Sequence, residues 1–133
     1  MTRVWPDSIE CQIGSSLVNP ANRPANWVTG DLWVLGDPTF AQTRNATGQL
    51  QTHGGGYGFG PASVQAEVPH GEWNLVDVII DGASEATYIV NGVEVNRIFN
   101  MTYNGQPLRE GFVSVQAEYA ELFYRDIRYR VNE

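Results

Sequence analysis

Glu10 and Gln12 stand two residues apart in Ser8-Ile9-Glu10-Cys11-Gln12-Ile13. In an extended chain successive side chains alternate between faces. The carboxylate and the amide therefore share one side, while Ile9, Cys11 and Ile13 take the other. A carboxylate can accept or return a proton, and an amide can hold a hydroxyl in place, a pairing suited to sugar recognition and to acid–base chemistry. Gln116 and Glu118 repeat the spacing, with Phe112 and Ser114 on their side of the chain. If the two segments lie in one sheet, two carboxylates and two amides share a polar surface, and paired carboxylates are the usual equipment of glycoside hydrolysis. A hydrated outer sheet face explains the same spacing, and spacing alone does not separate the two.

Other residue types add to this set. Of the four tryptophans, Trp27 and Trp33 lie near irregular stretches and are the better candidates for stacking on a ligand, whereas Trp73 opens a strand and suits packing. His53 enters the run His53-Gly54-Gly55-Gly56-Tyr57-Gly58-Phe59-Gly60, where backbone freedom could bring its imidazole to a substrate or a metal. No closely spaced His or Cys pairs mark a zinc site. The glycine run does not match a phosphate loop, no dinucleotide fingerprint follows a strand, and there is no nucleophile elbow.

The elements that must position these residues are strands. Apolar and polar residues alternate, and helical periodicity is absent. Strands are expected over Ser8–Ile13, Asp31–Leu35, Trp73–Ile80, Thr87–Val90, Val93–Asn96, Phe112–Glu118 and Glu121–Val131. Asn91-Gly92 between two such runs predicts a two-residue hairpin, since both residues tolerate the positive φ of a type I′ turn. Residues 14–30 and 36–62, rich in Gly, Pro, Asn and Thr, read as long irregular segments walling one end of a groove. Strands at this spacing without helices predict an all-β, antiparallel sandwich or barrel.

With 133 residues, the chain has the length of a single domain, 1–133. Its net charge is −7, and all eight basic residues are Arg. An acidic chain without a basic cluster is a poor partner for nucleic acid or an anionic membrane. No apolar stretch is long enough for a transmembrane helix, and the first residues lack the apolar core of a signal peptide. Cys11 is the single cysteine, which excludes an intrachain disulfide.

Taken in order, TRVWPDSIECQI, TGDLWVLG, HGEWNLVDVIIDG, YIVNGVEVNR and GFVSVQAEYAELFYRDIRY resemble the 3-keto-disaccharide hydrolase family. The resemblance implies a concanavalin A-like jelly roll whose concave sheet acts on glycosides oxidised at C3, by proton abstraction with elimination or by hydrolysis. It implies Glu10 as base or metal ligand, with Gln12 and Arg3 holding hydroxyls or a developing oxyanion. Gln116 and Glu118 would complete the floor, with Trp33 and His53 against the substrate. A divalent metal ion is a possible cofactor by the same resemblance, and export to the periplasm or the cell exterior a possible location. Members usually carry further strands ahead of the E-x-Q strand, so the chain is expected to lack them and to cover the exposed edges by forming a homo-oligomer. The same fold also serves non-catalytic carbohydrate-binding modules and assembly domains, the alternatives to an enzyme.

Overall fold

The computed structural model describes residues 5–14, 28–44, 49–117 and 121–131. They form seven strands: β1 (Ser8–Cys11), β2 (Leu32–Arg44), β3 (Gln49–Gly60), β4 (Val76–Asp81), β5 (Glu85–Val90), β6 (Val93–Tyr103) and β7 (Gln106–Pro107). Every ladder is antiparallel, and no helix occurs among the described residues. The fold is the all-β antiparallel one that the alternation predicts.

The sheet is organised around β2. On one side β3 runs along its length, from Leu32 opposite Gly60 to Arg44 opposite Gln49. The other side is divided, with β1 along Leu32–Leu35 and β6 against Thr39–Gln42. The main path is β1-β2-β6-β5-β4, with β3 on β2 and β7 on β6. Between the two halves of β2 the ladder slips, so that Asp37 and Pro38 stand opposite Gly55 alone. Such a bulge bends the strand and sharpens its twist. The sheet curls there into two leaves, β1 with the first half of β2 and β6-β5-β4 with the second. The core lies between them: Leu32 and Val34 from the first leaf pack with Tyr88, Val90, Val95 and Ile98 from the second.

Close packing on the inner side explains two of the glycines of β3. A Cβ on Gly58 would sit 2.7 Å from Val34 Cγ1, and one on Gly60 would sit 3.2 Å from the Phe40 ring. The stretch expected to be irregular, 36–62, is thus largely two long strands. Gly58 and Gly60 face the core while Tyr57 and Phe59 alternate with them on the outside. Gly30 is tighter still. Its φ is +97° and a Cβ would lie 2.3 Å from Val95 Cγ2. Gly30→Ala is therefore expected to cost about 3 kcal/mol in chemical denaturation, combining overpacking with left-handed backbone strain. Gly71→Ala, at φ +94° with open space around it, should cost only about 1 kcal/mol.

The Asn91-Gly92 hairpin forms as expected, with Val90 opposite Val93 and φ of +51° and +82° at the turn. Asn91 also donates its side-chain amide to Ala66 O and Asn74 Oδ1, and its Oδ1 accepts from Leu75 N. Asn74 Oδ1 accepts in addition from Val68 N. These two asparagines hold the segment entering β4 onto the β5–β6 turn. β4 is the outer strand of this leaf, and Val78, Ile79 and Ile80 are all exposed.

Two expected strands do not form. Residues 111–117 and 121–131 alternate in character, yet they join no ladder and their side chains are almost all exposed. Alternation reports a two-faced segment, whereas a strand also needs an edge to pair with. The Tyr124 hydroxyl donates to Gln116 O, and the Arg125 guanidinium lies 4.1 Å over the Trp73 ring. This pair of segments therefore sits beside the entry to β4.

Candidate functional site

Glu10 stands opposite Trp33 in the β1–β2 ladder, and Trp33 stands opposite Phe59 in the β2–β3 ladder. The next row outward is Ser8, Leu35 and Tyr57. Directly paired residues project to the same face. That face is the outer one, because the alternate residues Leu32 and Val34 are fully buried in the core. The first leaf thus presents one half-buried carboxylate beside an aromatic cluster. Trp33 lies 4.5 Å from Phe59 and 5.3 Å from Tyr57 between ring centroids, with tilts of 47° and 45°. Burial raises the Tyr57 hydroxyl above the usual phenol range, and the nearby Glu10 charge adds to the shift.

Gln12 continues the line of Glu10 just beyond β1 and is held by its backbone. Its N–H donates to Asp31 O at 2.8 Å, and its carbonyl accepts from Gly30 N at 2.9 Å. That anchor is set by a buried polar knot. Asp31, 1% exposed, accepts from Val28 N at 2.9 Å and from Ala62 N at 2.8 Å. Thr29 N donates to Glu67 Oε1, and the Thr29 hydroxyl donates to Gly14 O. Burial holds the Asp31 carboxyl above the ordinary range against the two backbone donors, with Glu67 adding to the rise. Cys11, between Glu10 and Gln12, turns inward. Burial pushes its thiol up to about 12 with help from Glu10, so it stays protonated and is no nucleophile.

The other residues singled out by sequence fall elsewhere. His53 stands opposite Phe40 and stacks on it at 5.1 Å, buried on the inner side. The glycines around it bend the strand but do not carry the imidazole to the Glu10 face. Gln116 lies in the segment beside Trp73, and no ladder joins it to β1. Arg3, Glu118 and Trp27 lie outside the described residues. No group of three or more His, Cys, Asp or Glu among the described residues is arranged to hold a metal ion. Tyr57 and Phe59 were not singled out by sequence, although the Tyr-Gly-Phe-Gly alternation carries the signal. Asp31 had none, since its partners are backbone amides, of which Ala62 N lies far along the chain.

At the end of this face, beside Leu35, the outer surface opens into a cleft of about 350 Å³ lined by Trp5, Asp7, Leu35, Gly36, Asp37 and the Gly55-Gly56 backbone. A carboxylate flanked by aromatic faces can take a proton from a ligand stacked on those faces, and flat apolar rings suit the carbon faces of sugars.

The family model of the 3-keto-alpha-glucoside-1,2-lyase-like domain matches residues 2–130. No curated protein and no solved structure matches the chain. The family description concerns glycosides, which gives the domain a carbohydrate-active role. With the match running over nearly the whole chain, the protein belongs to the 3-keto-alpha-glucoside-1,2-lyase-like domain family.

Proposed function

We propose that the outer face of the β1–β2–β3 leaf cleaves 3-keto-glycosides by elimination, with Glu10 as the base. The observation that carries this reading is the row Glu10–Trp33–Phe59, a carboxylate fixed by a ladder beside an aromatic platform. A ketone at C3 acidifies the proton on C2. Glu10 removes that proton, and the electron pair of the C2–H bond passes into the enolate. As the enolate collapses to the C1–C2 alkene conjugated with the ketone, the C1–O bond breaks and the leaving oxygen takes up a proton. Addition of water across the alkene completes net hydrolysis.

Gln12 holds a hydroxyl or the developing enolate oxygen, where a preorganised donor stabilises charge as it forms. Trp33, with Tyr57 and Phe59, carries the ring. Arg3 and Glu118 are assigned to the rest of the floor by the family resemblance alone, and neither Gln116, in the segment beside Trp73, nor His53, which faces the core, is given a part. The test is incubation of a 3-keto-α-glucoside in deuterium oxide with the purified chain. Release of the leaving group with deuterium appearing at C2 is expected. Binding without release or exchange would instead make the face a carbohydrate-binding surface.

A further inference from the structure

The bulge in β2 does more than bend the sheet. Opposite it, Gly54, Gly55 and Gly56 all have positive φ, at +115°, +74° and +125°. A Cβ on Gly55 or Gly56 would meet nothing within 4 Å, so these two glycines serve the backbone path and leave the outer surface bare. The extra residue of a bulge re-aims side chains, and bulges recur beside functional sites. Here the bulge puts Asp37 in the lining of the cleft, between Asp7 and Trp5 on the β1 side of β2 and the bare Gly55-Gly56 backbone on the β3 side. Asp7 is half-buried and accepts from the Tyr103 hydroxyl at 3.4 Å.

The cleft is continuous with the face described above. Leu35 lines it, and Leu35 lies two residues along β2 from Trp33, roughly 7 Å away at strand rise. That distance places it beyond a ring seated on Trp33, where the next unit of a glycoside would lie. Its volume, about 350 Å³, is at the small end of ligand sites, which run from roughly 300 to 1,000 Å³. Its chemistry is one indole and two carboxylates. Carboxylates accept strong hydrogen bonds from hydroxyls and repel anions, and an indole offers a stacking surface.

We infer that the Trp5–Asp7–Asp37 cleft receives the leaving-group unit of the substrate and selects an uncharged, hydroxyl-rich ring over an acidic one. This rests on the reading of the outer face as the glycoside site, but it adds which substrates that site prefers. Asp37 sets the charge discrimination, and Trp5 provides the surface on which the second ring rests.

The test is titration calorimetry with methyl α-glucoside, a neutral glucose disaccharide, and the same disaccharide bearing a uronic acid in the leaving unit. Turnover of their 3-keto forms is measured in parallel. The parent protein is expected to bind the neutral disaccharide about tenfold more tightly than the methyl glucoside, and W5A should reduce that preference to less than threefold. D37N should improve binding of the uronate at least threefold relative to the neutral disaccharide. A disaccharide bound no better than the methyl glucoside overturns the inference, as does a W5A effect equal on both ligands. A Trp5-dependent preference without turnover leaves the cleft standing and removes the elimination chemistry. Turnover without that preference does the reverse, and no binding of any of the three removes both.

Discussion

Glu10→Gln is expected to lower turnover of a 3-keto-glucoside by about 10³-fold, within the range a positioned general base contributes. The replacement keeps the shape of the side chain, and the β1–β2 ladder that sets its position is made by backbone atoms. Binding should therefore stay within a few-fold of the parent, so the loss appears in kcat and not in KM. Deuterium uptake at C2 should disappear with turnover, because proton removal is the step that Gln cannot perform. Uptake that persists in the variant would show that another group takes the proton. A parallel rise in KM with kcat unchanged would make Glu10 a binding residue.

The second large effect is on stability. Asp31→Ala is expected to cost about 3 kcal/mol, since two buried backbone donors, Val28 N and Ala62 N, lose their acceptors together. The Tm should fall by about 10 °C in a chain of this size. The effect should depend on pH, and its sign follows from the raised carboxyl. A native state that holds its proton more firmly than the unfolded chain is favoured while the group is protonated, and that advantage is lost as pH rises. The loss starts at the ordinary carboxyl value of 3.8 and ends at the higher native one. The parent should lose stability across this window relative to the variant, which lacks the group. The differential slope is read from denaturation curves of both proteins on either side of it. The variant should also bind glycosides poorly, because Gln12 hangs by two backbone bonds from Gly30 and Asp31.

Sequence revealed the parts of this architecture that are local. The Asn91-Gly92 turn, the inward Ile9 and Cys11 and the outward Glu10 all follow from two-residue periodicity and turn chemistry, which need no partner to be legible. The β2–β3 hairpin was obscured because its glycines look like loop residues. Their reason is close packing on the inner side, Val34 of the paired strand against Gly58 and Phe40 against Gly60, and a contact between residues far apart in the chain leaves no mark on composition. The same blindness explains the segments around Gln116 and Tyr124, whose alternation is real but whose pairing edge is not written in their own residues. His53 was misleading for a related reason. Glycine neighbours suggested reach, whereas the ladder opposite Phe40 fixes the ring inward.

The outer strand β4 has a bearing on how the protein behaves in a concentrated solution. Its Val78, Ile79 and Ile80 are exposed, Ile80 by 54%, and one flank of the strand lies outside the β5 ladder. An apolar edge that no ladder covers among the described residues is a template for cross-β stacking, and nearby charges are what restrain it. Asp77 and Asp81 bracket the apolar trio, and the net charge of −7 keeps molecules apart at neutral pH. Both restraints are electrostatic, so shelf life and crystallisability become matters of acidity and salt. Near pH 4.7, where the net charge vanishes, colloidal repulsion is lost, and precipitation seeded at β4 is the expected outcome, which turbidity followed down from neutral pH checks.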